Sequence, residues 1–200
     1  MLIRFTVLFI FAGFLYTPWQ TAPASPVEQK RLQASEIQRS IEERGASATL
    51  NRLALDSNLF DQLERHLRNG EPRWLGLFVS LRGQPKNDWG GQLDLFLAYA
   101  LAHNTSGTLR TIQAYQNRYG EFLQREGFPS YAELVCGNVD QDWILGTDAG
   151  TPDMARRAVA TLQRRTAALD KMKVDELKTV HRQCRRRIRT AVDFWRGFGP

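Results

Sequence analysis

Between Gly70 and Leu101 the chain carries two apolar segments, Gly70–Gly83 and Asp88–Leu101, joined by a short polar stretch. In the second, Leu93, Phe96, Leu97, Ala100 and Leu101 fall at i, i+3, i+4, i+7 and i+8, one face of an α-helix. The first is apolar on nearly every side, through Trp74, Leu75, Leu77, Phe78, Val79 and Leu81. A helix with that composition has to be covered by other helices. The pair is therefore expected to form the core of an all-α domain, with Trp74 inside it.

The flanking sequence supplies the covering helices. Ser57 to Asn69 places Phe60, Leu63 and Leu67 on one side and ends at Gly70, a suitable C-terminal cap. Leu109, Ile112, Tyr115 and Tyr119 share a side of a helix opened by Ser106, and Gly120 to Ser130 reads as irregular. A short piece carries Tyr131, Leu134 and Val135 to Cys136, and Trp143-Ile144-Leu145 reads as one or two further turns. Thr151-Pro152-Asp153 is a cap followed by proline at the first helical position. The helix it opens reverses near Lys173 to Asp175 into a last one striped by Leu177, Val180, Cys184, Ile188, Val192 and Trp195. The expectation is an irregular bundle of about eight short helices, ending in a C-terminal helical hairpin. No segment reads as a strand and no repeat of fixed period is present.

Ahead of this body, Arg4, the apolar run Phe5–Tyr16, Pro18 and Ala22-Pro23-Ala24 read as a secretory signal over residues 1–24. The run is shorter than the roughly 20 apolar residues a membrane span needs. After cleavage the chain is not expected to be an integral membrane protein. Residues 25–48 read as an exposed helix or arm, with Pro26 near its start and Gly45 as its stop, and residues 49–200 as one helical domain. At 200 residues the chain is long enough to bury a single sizeable core without a metal or several disulfides.

Export places both cysteines in an oxidising compartment, so a Cys136–Cys184 disulfide is the expected pairing. The rival is a reactive thiol or a metal site using His181 and Cys184, but two ligands are too few for a closed zinc site. His66 and His103 belong to no nucleophile or metal motif. Gly90-Gly91 lacks the lysine and the strand of a phosphate loop and reads as a place of close helix approach. Asn104-Thr105-Ser106 matches a glycosylation sequon, a three-residue pattern of low specificity. No metal and no cofactor is called for.

The formal charge of +6 is unevenly spread. Residues 151–200 hold 13 Lys and Arg against 5 Asp and Glu, a surplus of eight, while the first 150 residues carry −2. The sharpest cluster is Arg182, Arg185, Arg186, Arg187 and Arg189, opposite the Cys184 stripe, a candidate anion-binding face. Export makes nucleic acid a poor partner and leaves anionic lipid, lipopolysaccharide or an acidic protein.

Gly70-Glu71-Pro72-Arg73-Trp74-Leu75, then Leu93-Asp94-Leu95 with Ala98-Tyr99-Ala100-Leu101, then Val135-Cys136, resemble a group of small exported helical proteins of proteobacteria, over roughly residues 50 to 190. The resemblance implies export, an all-α fold and a mid-chain cysteine paired with one in the last helix. That group has no assigned activity, so no functional residue is carried over. The leading functional reading is a non-catalytic module that binds another exported protein, as an inhibitor or an immunity-like partner does. Two further readings are a cell-wall hydrolase with Glu121 or Glu133 as general acid, and a binder of anionic surfaces through the arginine face.

Overall fold

The structure, a computed structural model, describes residues 31–85, 89–128, 130–139, 152–173 and 176–198. The expected signal sequence, the expected turns at Trp143-Ile144-Leu145 and part of the expected reversal near Lys173 to Asp175 fall outside the described residues. Nine helices and no strand occur among the described residues. They are α1 (Ala34–Arg44), α2 (Ala46–Ala54), α3 (Ser57–Arg68), α4 (Pro72–Arg82), α5 (Gly90–Ala100), α6 (Thr105–Arg125), α7 (Tyr131–Val135), α8 (Pro152–Asp170) and α9 (Lys178–Arg196).

α4 and α5 form the centre, as their composition requires. Trp74, Leu75, Phe78 and Leu81 of α4 are buried, and in α5 every residue from Leu93 to Ala98 is buried, with Ala100. Each neighbouring helix brings one apolar stripe to this pair: α3 covers α5 with Leu63 and Leu67, and α6 covers both with Leu109, Ile112 and Tyr115. His66 stacks flat on Trp74, ring centroids 4.7 Å apart, and its Nδ1 lies 2.8 Å from Glu71 Oε1. That histidine is part of the core's edge. α1 turns an exposed face outward but packs on α2 and α4, burying Leu32 and Ile37, with the Ser40 and Thr49 hydroxyls bonded at 3.0 Å beneath it.

α8 and α9 run antiparallel as a C-terminal pair, so that His181 near the start of α9 reaches the Leu169 carbonyl near the end of α8 at 3.0 Å. The stripe Leu177, Val180, Cys184, Ile188, Val192 and Trp195 is buried throughout. Cys136, just past α7, bonds to Cys184 in the middle of that stripe, with the two Cα atoms 5.1 Å apart. This closes the cysteine pairing and removes Cys184 from any thiol or metal chemistry.

Two expected boundaries differ. Helix α6 begins at Thr105, capped by Asn104, whose side chain accepts from the Gly107 N–H at 3.0 Å; the expected cap, Ser106, is already helical. Asn104 wins because its amide also donates to the Gly70 carbonyl at 2.8 Å, tying the end of α3 to the start of α6. At the other end α6 runs through Gly120 to Arg125. Gly120 costs a helix about 1 kcal/mol, too little to stop one that continues to bury Leu123. With α6, α8 and α9 at 21, 19 and 19 residues, not all the helices are short.

Candidate functional site

Helix α9 gathers most of the residues singled out from sequence. Its inner stripe is used up in packing, so the remaining positions face outward. Of the five arginines, Arg185 reaches Asp170 of α8 at 3.1 Å and Arg186 donates to Glu133 of α7. Arg187 lies along Gly137, so closely that a Cβ there would come within 2.9 Å of its side chain. Arg182 and Arg189 are exposed. Arg185 and Arg189 border a groove of about 550 Å³ between α8 and α9 that also holds Asp170 and Asp193. All five arginines are exposed, but Arg187 turns toward Gly137 and Arg185 toward α8, and with Glu133, Asp170 and Asp193 beside them the net field of α9 is weaker than five charges suggest.

Glu133 is held by Arg186 and Glu121 is exposed on α6; neither borders the cavities described here. His103 is exposed and His181 is buried against a carbonyl. No three His, Cys, Asp or Glu residues come together as a metal site among the described residues.

The last turn of α9 adds what the charge pattern did not foretell. Phe194 and Phe198 are 58% and 45% exposed, and with Trp195 they form a cluster of ring pairs at 5.0–5.9 Å. Beside them opens a cavity of about 500 Å³ lined by Leu134, Val139, Ala191, Phe194 and Trp195, with Arg187 at its edge. Phe194 stands in the last turn of α9 and Phe198 two residues past its end, spaced i, i+4; that spacing is the signal in the sequence that marked them.

Asp94 also borders this cavity, and behind it lies the most polar part of the core. It receives Arg82 of α4 on both oxygens, at 3.0 and 3.2 Å, and the hydroxyl of Tyr131 of α7. Arg82 spends its remaining hydrogens on the carbonyls of Gln84 and Pro85, at 2.9 and 3.3 Å. Tyr115 of α6 donates to the Gly83 carbonyl at 3.1 Å and stacks on Tyr131 at 4.1 Å. Burial works to discharge Arg82, but the charge and hydrogen bonds of Asp94 outweigh it and hold the guanidinium above its ordinary value. Burial pushes the Asp94 carboxyl up against the pull of the same partners. Gly90 makes the arrangement possible, since a Cβ there would lie 2.4 Å from the Arg82 guanidinium carbon. With its donors all within the core, this network clamps four helices together.

No family model, no curated protein and no solved structure matches the chain. Fold and site together define a class: a disulfide-bonded, all-α protein with an aromatic and basic end.

Proposed function

We propose that the protein is exported and acts without catalysis, as a binding module whose α9 end docks a second exported protein. The observation that carries this is the pair Phe194 and Phe198, large aromatic rings left in water beside an apolar cavity in a molecule that buries its other stripes. Exposed apolar clusters rimmed by polar groups are characteristic of interaction sites, and aromatic anchors in pockets dominate binding energies. Arg187 lines the same cavity, so the fitting partner offers an apolar side chain of a size to enter 500 Å³ with an acidic group beside it. The N-terminal apolar run and the disulfide support export.

The test has two stages. Protein recovered from the envelope of its own host should begin after Ala24; an intact N-terminus in the cytosolic fraction would overturn export. A partner recovered with it should then bind the purified wild type and lose at least about tenfold in affinity to Phe194→Ser/Phe198→Ser. Equal affinity for the double variant would remove the α9 end as the docking surface.

A further inference from the structure

A second site lies on another face, between α8 and the corner where α5 passes into α6. There a groove of about 860 Å³ is lined by Thr105, Ser106, Arg164, Arg165 and Lys171, with His103 at its edge, and no carboxylate is among its lining residues. At its floor Arg165 is closed to water, 0% exposed. Its Nη1 donates to the carbonyls of Cys136 and Asn138, and its ring-side neighbour is Tyr99, 4.9 Å from the guanidinium to the ring centre. Its Nε and Nη2 are buried and have no hydrogen-bond partner among the described residues.

A buried guanidinium ordinarily comes with a carboxylate, as Arg82 does with Asp94, because an unpaired internal charge is strongly unfavourable. Arg165 has none. Burial, with the charges of Arg164 and Arg68 adding to it and Tyr99 opposing, pulls its pKa down to about 10. The groove above it is shaped for the missing charge. Helix α6 points its N-terminus there, and of its first amides only Gly107 is satisfied by the Asn104 cap. The N–H groups of Thr105 and Ser106 precede the helix's own bonding and carry the positive end of a 21-residue dipole. The Ser106 hydroxyl, Arg164 and Lys171 stand beside them.

We infer that this groove is a binding site for a phosphate monoester, with Arg165 at its floor, Arg164 and Lys171 on its rim, and the α6 N-terminus and Ser106 hydrogen-bonding the phosphoryl oxygens. The volume exceeds what a bare phosphate fills, so the ligand carries an organic group, either that of a soluble phosphorylated molecule or that of a lipid headgroup. A bound dianion gives the Arg165 charge its counter-charge. It also bridges α8 to the α5–α6 corner, stiffening the C-terminal pair against the rest of the fold. This site is separate from the aromatic end of α9, and either reading stands or falls without the other.

The probe is glycerol 3-phosphate, titrated into the purified protein by calorimetry, with chloride at matched ionic strength as the control. Saturable binding by the wild type, weakened about tenfold or more in Arg164→Ala/Lys171→Ala and in Arg165→Met, is the expected result. Arg164 and Lys171 are exposed and lose only the Arg164 hydrogen bond to the Thr161 hydroxyl, so the comparison holds even if Arg165→Met does not fold. Sedimentation with phosphatidic acid vesicles, against phosphatidylcholine vesicles, distinguishes the source: retention by phosphatidic acid that the rim variant abolishes assigns a lipid headgroup, and no retention assigns a soluble ester. Heat no greater than chloride gives, or equal affinity in the rim variant, overturns the site.

Discussion

Asp94 is the only buried carboxylate among the described residues, and both groups hydrogen-bonded to it are donors. Removing it strands the Arg82 charge in the core, whereas removing the Tyr131 hydroxyl takes away one hydrogen bond of several. Asp94→Ala should therefore destabilise by about 3 to 5 kcal/mol and Tyr131→Phe by about 1 to 2 kcal/mol, read as shifts in the urea midpoint at constant slope. Equal effects would mean that the pair is not paired as described. Trp74, 4% exposed and stacked on His66, should cost about 3 to 5 kcal/mol on replacement by alanine; a loss under roughly 1 kcal/mol would place it at the surface. The Trp74 position was legible from its apolar surroundings. The Arg82–Asp94 pair was not, although each stands alone at an informative place, a base ending one apolar run and an acid inside the next. Sequence pattern alone does not reveal that two such residues twelve positions apart meet.

At the scale of elements, Asn104 does two jobs: its carbonyl caps α6 and its amide holds the Gly70 carbonyl. Gly70, at φ 66°, is pressed so close that a Cβ there would meet the Asn104 side chain at 2.7 Å. Asn104→Ala should cost about 2 kcal/mol, measured by thermal or denaturant melting, and Asn104→Ser, which keeps the cap alone, should recover about half. A full recovery would show the Gly70 bond to be worth nothing. Periodicity identified most of the helices and their buried faces, from the Cys184 stripe to the α5 face, but α2 reads only as a short segment from Thr49 to Leu55. It misplaced ends, because a cap is chosen by contacts from elsewhere in the fold, and because Gly120 is read as a break only until Leu123 beyond it is seen to be buried. The phenylalanines at the α9 end and the groove over Arg165 share that limit. Each depends on which surface the fold leaves uncovered, and for Arg165 on a carboxylate that is absent from its surroundings.

For the molecule as a whole, Tyr115 and Tyr131 link the stability of four helices to alkaline pH. Burial raises both hydroxyls above the ordinary value of 10, with the Asp94 charge adding to it and Arg82 opposing. Folded chains therefore keep two protons that unfolded chains release above pH 10, so the contribution of these tyrosines is intact below that pH and is lost as pH rises through their folded values. In an alkaline titration the phenolate absorbance of two tyrosines should appear only together with loss of helical circular dichroism. Smooth ionisation of all tyrosines with helicity unchanged would contradict the buried placement. The disulfide acts on the same scale. It closes a loop across 48 positions, and its removal by Cys136→Ser/Cys184→Ser should cost about 4 kcal/mol on chain-entropy grounds.

The same bond has a topological outcome. Residues 137–183, all of α8 included, lie within a covalent ring, and Arg165 spans it by donating to Cys136 and Asn138 at the ring's neck. A single backbone cut anywhere in that ring leaves the polypeptide in one piece, heavier by one water, and its two fragments separate only under reducing conditions. Under the export proposed above, where proteases are met outside the cell, the segment that carries α8 is tethered at both ends, so a nick there does not by itself release α9 or its aromatic tip.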